Sequence, residues 1–104
     1  MDRESAKIAG DFAKKIRSKY SPLKVILFGS RARGDHLKTS DFDFIVVSTK
    51  FKQQPFIFRA SNLYDYWTAP YDIEPLCYTP EEFERKKKQI GIVRQAVKEG
   101  VEIS

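Results

Sequence analysis

The sequence predicts an α/β (α+β) sandwich, a small sheet of about three strands with helices packed over one face. Three observations lead there. Two short runs rich in β-branched and aromatic residues, KVILF at 24–28 and DFDFIVV at 41–47, have the length and composition of buried strands. Stretches with apolar residues at three- and four-residue spacing lie before, between and after such runs. The length of 104 residues suits one domain, so residues 1–104 are expected to form a single unit.

Each element has its own signal. Ile8, Phe12 and Ile16 recur every four residues with Ala9, Ala13 and Tyr20 beside them, which predicts a helix over 2–20 that ends at Ser21-Pro22. The KVILF strand stops at Gly29. Residues 29–34 read as a turn leading into a short helix, followed by a polar loop through Ser40 and a second strand over 41–47. Residues 51–55 read as loop. Phe56, Ala60, Leu63, Tyr64 and Trp67 then fall at helical spacing up to Pro70. YDIEPLCY at 71–78 fits a third strand, and Pro75 asks for an edge position or a break there. Thr79-Pro80-Glu81-Glu82 is a helix start, with a Thr cap, Pro at the first position and acids in the first turn. That helix is expected to run through Phe83, Ile90, Val93 and Val97 to Gly100.

Composition narrows the function classes. With 41% hydrophobic and 13% aromatic residues, the chain supports one small core of modest stability, which a partner or a second copy would strengthen. Nineteen basic residues against 14 acidic ones give +5, a surplus that favours anionic ligands without choosing among them. The run Arg85-Lys86-Lys87-Lys88 reads as a solvated helix face. Cys77 is the only cysteine, so neither an internal disulfide nor a C-x-x-C metal site is possible. The N-terminus lacks a secretory signal, and the apolar runs are far too short to span a membrane. The expectation is a soluble cytoplasmic protein.

The chemistry-bearing stretch is FGSRARGDHLKTSDFDF at 28–44. Gly29, lacking Cβ, lets backbone approach a ligand closely at the end of a strand. Ser30 opens a helix, where free N–H groups favour a phosphate, and Arg31 and Arg33 can add charge. Asp41 and Asp43, two apart on a strand, project from one face, an arrangement that suits Mg²⁺. Either feature alone says little, since most Gly-Ser turns only connect elements and most Asp-x-Asp strands only face solvent. Their occurrence together, in order, on successive strands is the signal.

The stretch resembles the signature of the DNA polymerase β-like nucleotidyltransferase superfamily: Gly-Ser, a gap of about ten residues, then Asp-x-Asp. By size and wording it is similar to the minimal nucleotidyltransferases, whose genes commonly pair with that of a small helical HEPN-domain protein in toxin–antitoxin-like modules. The likeness is strong over 24–47, weaker from 71 onward, and says little about 51–67. It implies the nucleotidyltransferase fold, with Gly29, Ser30 and Arg33 holding the phosphates and Arg31 free to point to solvent. Asp41 and Asp43 would hold two Mg²⁺ or Mn²⁺ ions. The third carboxylate lies on a later strand, where Asp72 is favoured and Glu74, two residues on, is the alternative. The implied activity is transfer of a nucleoside monophosphate, AMP from ATP, to a hydroxyl of a partner such as a HEPN-type protein. A catalytically silent antitoxin that keeps the fold is the rival reading. A nucleic-acid binder is a third, for which the sequence offers only charge and no recognisable module.

Other residues carry blander expectations. His36 reads as a surface turn residue and Cys77 as a small core residue. Tyr64, Tyr66 and Trp67 read as packing, with a place in a base pocket as the alternative. An exposed apolar face around 51–67 is expected to favour association.

Overall fold

The computed structural model describes residues 1–22 and 24–103. Helix α1 (Arg3–Tyr20) starts where Asp2 accepts a hydrogen bond from the Ser5 N–H at 2.7 Å, and it ends at Ser21 in the left-handed conformation. Strand β1 (Lys24–Phe28), the short helix α2 (Ser30–Arg33) and strand β2 (Phe42–Val47) follow. After a 3₁₀ turn (Thr49–Gln53) come helix α3 (Phe56–Leu63) and a second 3₁₀ turn (Tyr64–Tyr66). Strand β3 (Ile73–Tyr78), helices α4 (Pro80–Lys87) and α5 (Ile92–Glu99) and strand β4 (Val101–Glu102) complete the chain.

The strands form one mixed sheet in the order β3-β2-β1-β4. The β1–β2 and β1–β4 pairs are antiparallel, and β2 runs parallel to β3. Pro75 therefore sits on an edge strand, as its missing N–H requires.

Helices cover both faces of the sheet, not the one expected. Val25, Leu27, Phe42, Phe44 and Val46 point to one side and pack with Phe12 and Ile16 of α1, Phe51 and Leu63. The intervening residues Ile26, Phe28, Ile45 and Val47 point to the other side and pack with Phe83, Val93 and Ala96 of α4 and α5. The continuous apolar character of KVILF is the mark of a strand buried on both faces.

Other departures are local. The C-terminal helix is two helices broken around Gly91; this leaves Ile90 almost fully exposed while Val93 is buried. The α-helix after Pro55 ends at Leu63 instead of reaching Trp67. Phe51 is a buried residue of a 3₁₀ turn, not loop, because its ring packs 5.3 Å from that of Tyr20. β4 has no signal in the sequence, since two residues carry no readable period. The capping box at Thr79 forms in full with Glu82. No helix among the described residues is long and apolar enough to cross a membrane.

Candidate active site

The site lies where β1 ends and β2 and β3 begin. Gly29 has φ 77 and ψ −158, a backbone conformation that a side chain would strain. A Cβ built there would lie 2.5 Å from the Asp43 carboxylate oxygen Oδ2. The turn thus brings bare backbone against an acid of the next strand. Ala32 and Arg33 donate to the Gly29 carbonyl, each at 3.1 Å, leaving the N–H groups of Ser30 and Arg31 as those that no helix carbonyl accepts.

Asp43 shares its sheet face with Ile45 and Val47, beyond the cover of α4 and α5. Directly across the parallel pair, its register partner is Glu74. Burial, then the charges of Glu74 and Asp41, push Asp43 from 3.8 to about 6, with Arg33 opposing. Asp41 and Asp72 each lie one residue before their strand. The Phe42 N–H donates to the Asp72 carbonyl at 2.9 Å, tying the two strand starts together. The structure thus brings Gly29, Asp41, Asp43 and Glu74 together; the register puts Glu74 beside Asp43 and Asp72 one step further out.

Among the described residues, no three His, Cys, Asp or Glu side chains converge tightly enough to hold a metal ion unaided. The acids present still suit a divalent cation, because their mutual repulsion is what bound positive charge would relieve. Mg²⁺ usually completes its shell with waters and substrate phosphates.

The two arginines of the turn have opposite fates. Arg33 is half-exposed and pairs with Asp35 at 3.1 Å, within electrostatic reach of Asp43. Arg31, expected to be free to point to solvent, is 1% exposed. Carbonyl oxygens and aromatic rings enclose it, a combination that sequence spacing does not reveal. His36 is also less superficial than expected: its Nε2 lies 3.0 Å from Asp2, the cap of α1. Cys77 is buried, which pushes its thiol up to about 12 and makes it a core residue.

A cleft of about 400 Å³ opens at the β3 edge beside the acids. Asp41, Asp72 and Glu74 contribute to its lining together with Tyr64, Trp67 and Tyr71. Trp67 also packs on Phe12 and Phe42, and Tyr66 on Tyr20, so these two are packing residues as expected.

The profile of the nucleotidyltransferase domain family matches residues 10–103. The chain belongs to that family. A protein of Sulfolobus solfataricus provisionally assigned as a nucleotidyltransferase has a similar solved structure, with a TM-score of 0.65 at 27% identity over 95% of this chain and 78% of that one. Two BolA proteins of Arabidopsis thaliana share the fold alone. BolA1 gives a TM-score of 0.57 at 16% identity, over 71% of this chain and 93% of its own. The BolA domain of SufE1 gives 0.55 at 16% identity, over 79% and 98%. No curated protein sequence matches the chain. This nucleotidyltransferase domain thus places its Gly29-Ser30 turn against Asp43, the second acid of its Asp-x-Asp pair.

Proposed function

We propose that the chain is a metal-dependent nucleotidyltransferase that moves a nucleoside monophosphate, AMP from ATP, to a hydroxyl on a partner protein. The single observation that supports this reading best is the contact of side-chain-free Gly29 with Asp43, itself level with Glu74. A phosphate cradle and a patch of anionic oxygens are there set side by side.

The N–H groups of Ser30 and Arg31, the Ser30 hydroxyl and the half-exposed Arg33 bind the terminal phosphates. Asp41, Asp43 and Glu74 would supply the oxygens for two Mg²⁺ or Mn²⁺ ions, with Asp72 as an outer carboxylate toward the acceptor. When bound, such ions lower the acceptor hydroxyl's pKa and neutralise charge on the phosphates. The acceptor oxygen, its proton lost to solvent, forms a bond to the α-phosphorus while the bond to pyrophosphate breaks. The protein's part is orientation: Gly29 and Ser30 hold the phosphates on the β1 side, and the cleft admits the acceptor from the β3 side.

A macromolecular acceptor fits the surface. Phe56, Ile57 and Phe58 of α3 are exposed, a patch that association with a partner such as a HEPN-type protein would cover in a toxin–antitoxin-like module. The test is calorimetry with ATP and Mn²⁺, followed by intact-mass measurement of the neighbouring gene's product after incubation with the chain, ATP and Mg²⁺. Metal-dependent ATP binding lost in Asp43→Asn, and a nucleotidyl mass on the partner, are expected. Metal-independent binding that survives Asp43→Asn refutes the site; a label found instead on a small molecule or nucleic-acid end refutes the acceptor alone.

A further inference from the structure

We infer that Arg31 is a positioning residue that sets the distance between the phosphate turn and the acidic strands, an inference that rests on the function proposed above. Its guanidinium lies 4.5 Å from the centroid of the Phe42 ring and 4.5 Å from that of Tyr71. Nε and Nη2 both donate to the Ser40 carbonyl, at 3.3 and 3.1 Å, and Nη2 also donates to the Lys38 carbonyl at 3.3 Å. Nη1 donates to the Ser5 hydroxyl of α1 at 3.4 Å. Among the described residues, no carboxylate lies within ion-pair distance of this buried cation. Carbonyl dipoles and ring faces replace water around it.

The partners are informative because of their neighbours in the chain. Arg31 follows Ser30 of the turn. Ser40 precedes Asp41, Phe42 separates Asp41 from Asp43, and Tyr71 precedes Asp72. The Phe42 N–H in turn holds the Asp72 carbonyl. One rigid, planar group therefore touches the loop that follows the phosphate turn, a neighbour of each Asp-x-Asp acid and the neighbour of Asp72. The guanidinium's plane and fork are both used, one for stacking and the other for the carbonyls, and a lysine offers neither. A residue serving only to fill space or carry charge would need neither.

The experiment compares the parent with Arg31→Lys, which keeps the charge. Circular dichroism and Tm report folding, calorimetry reports binding of Mn²⁺ with ATP, and NMR reports hydrogen exchange of the Phe42 and Val46 amides. A folded Arg31→Lys should bind Mn²⁺–ATP at least about tenfold more weakly, since small misplacements of binding groups have effects of this order or more. Its Phe42 amide should exchange about tenfold or more faster while Val46, deeper in the strand, keeps its protection. Parent-like affinity or parent-like Phe42 exchange in Arg31→Lys overturns the inference while leaving the site intact. A parent that binds no Mn²⁺–ATP refutes the functional reading itself, and the positioning role falls with it. Should Arg31→Lys fail to fold, Ser5→Ala, which removes one acceptor remote from the acids, decides the matter by the same two measurements with smaller changes.

Discussion

Gly29 and Asp43 are in such close contact that a methyl group on the glycine would lie 2.5 Å from the carboxylate oxygen Oδ2. Gly29→Ala therefore meets two obstacles. The combination of φ 77 with ψ −158 is essentially reserved for glycine and penalises any Cβ by about 1–3 kcal/mol, and the new methyl displaces the acid. The expected outcome is a folded but less stable protein whose Mn²⁺-dependent ATP binding is lost. Thermal melts and calorimetry check it, and parent-like binding would place the phosphates elsewhere.

Asp43 also gives a pH signature. Its folded value, about 6, lies above the ordinary 3.8, so the native state holds the extra proton between those values. Metal-free stability should then fall as pH rises from about 4 to about 6 and stay flat above. Asp43→Asn should remove that slope and gain roughly 1–2 kcal/mol at pH 7 after allowance for solvent screening. Denaturant melts at several pH values test this; an unchanged slope in the variant contradicts it.

Glu74 and Asp72 can be told apart. Glu74→Gln removes the largest charge acting on Asp43 and should bring its titration down toward the ordinary range. It should also weaken Mn²⁺–ATP binding more than Asp72→Asn does, because Glu74 is level with Asp43 and Asp72 is a step out. NMR titration of the Asp43 carboxyl with calorimetry of both variants is the measurement. A larger effect from Asp72→Asn would return the third-carboxylate role to that residue.

Away from the site, Arg59 joins three elements. Its guanidinium donates to the Gln54 carbonyl at 3.0 Å, the Cys77 carbonyl at 3.2 Å and Glu82 Oε1 at 2.6 Å. Arg59→Met should cost roughly 1–3 kcal/mol, since it leaves the Cys77 carbonyl without this donor and the part-buried Glu82 carboxylate with only its capping-box partner Thr79. ATP binding by the fraction that remains folded should be unchanged. Chemical denaturation gives the stability, and a change under about 1 kcal/mol would mean that the pair is solvated in practice.

The legibility of these features follows their range along the chain. Gly29, Ser30, Asp41 and Asp43 were readable because the turn and the acid pair are each local. That Glu74 sits beside Asp43 was not, since it depends on a parallel register between strands some thirty residues apart. Arg31 and Arg59 escaped for a different reason. Charged residues are usually exposed, and only folding assembles the carbonyls and rings that make burial tolerable. The second helical layer was hidden because the signal over 80–100 resembles one long helix, and the break at Gly91 is what lets Phe83 and Val93 reach the same sheet face.

The placement of Pro75 bears on how the protein behaves in a crowded solution. The carbonyls of Asp72 and Tyr78 turn inward to Phe42 and Ser48, so the backbones of the alternate residues Ile73, Pro75 and Cys77 turn outward. On that rim Pro75 has no donor to offer, and the Cys77 carbonyl is already taken by Arg59. The opposite rim is a strand of only two residues. Among the described residues, neither border gives another chain a run of free peptide groups to zip onto, so the sheet is terminated against fibril-like growth.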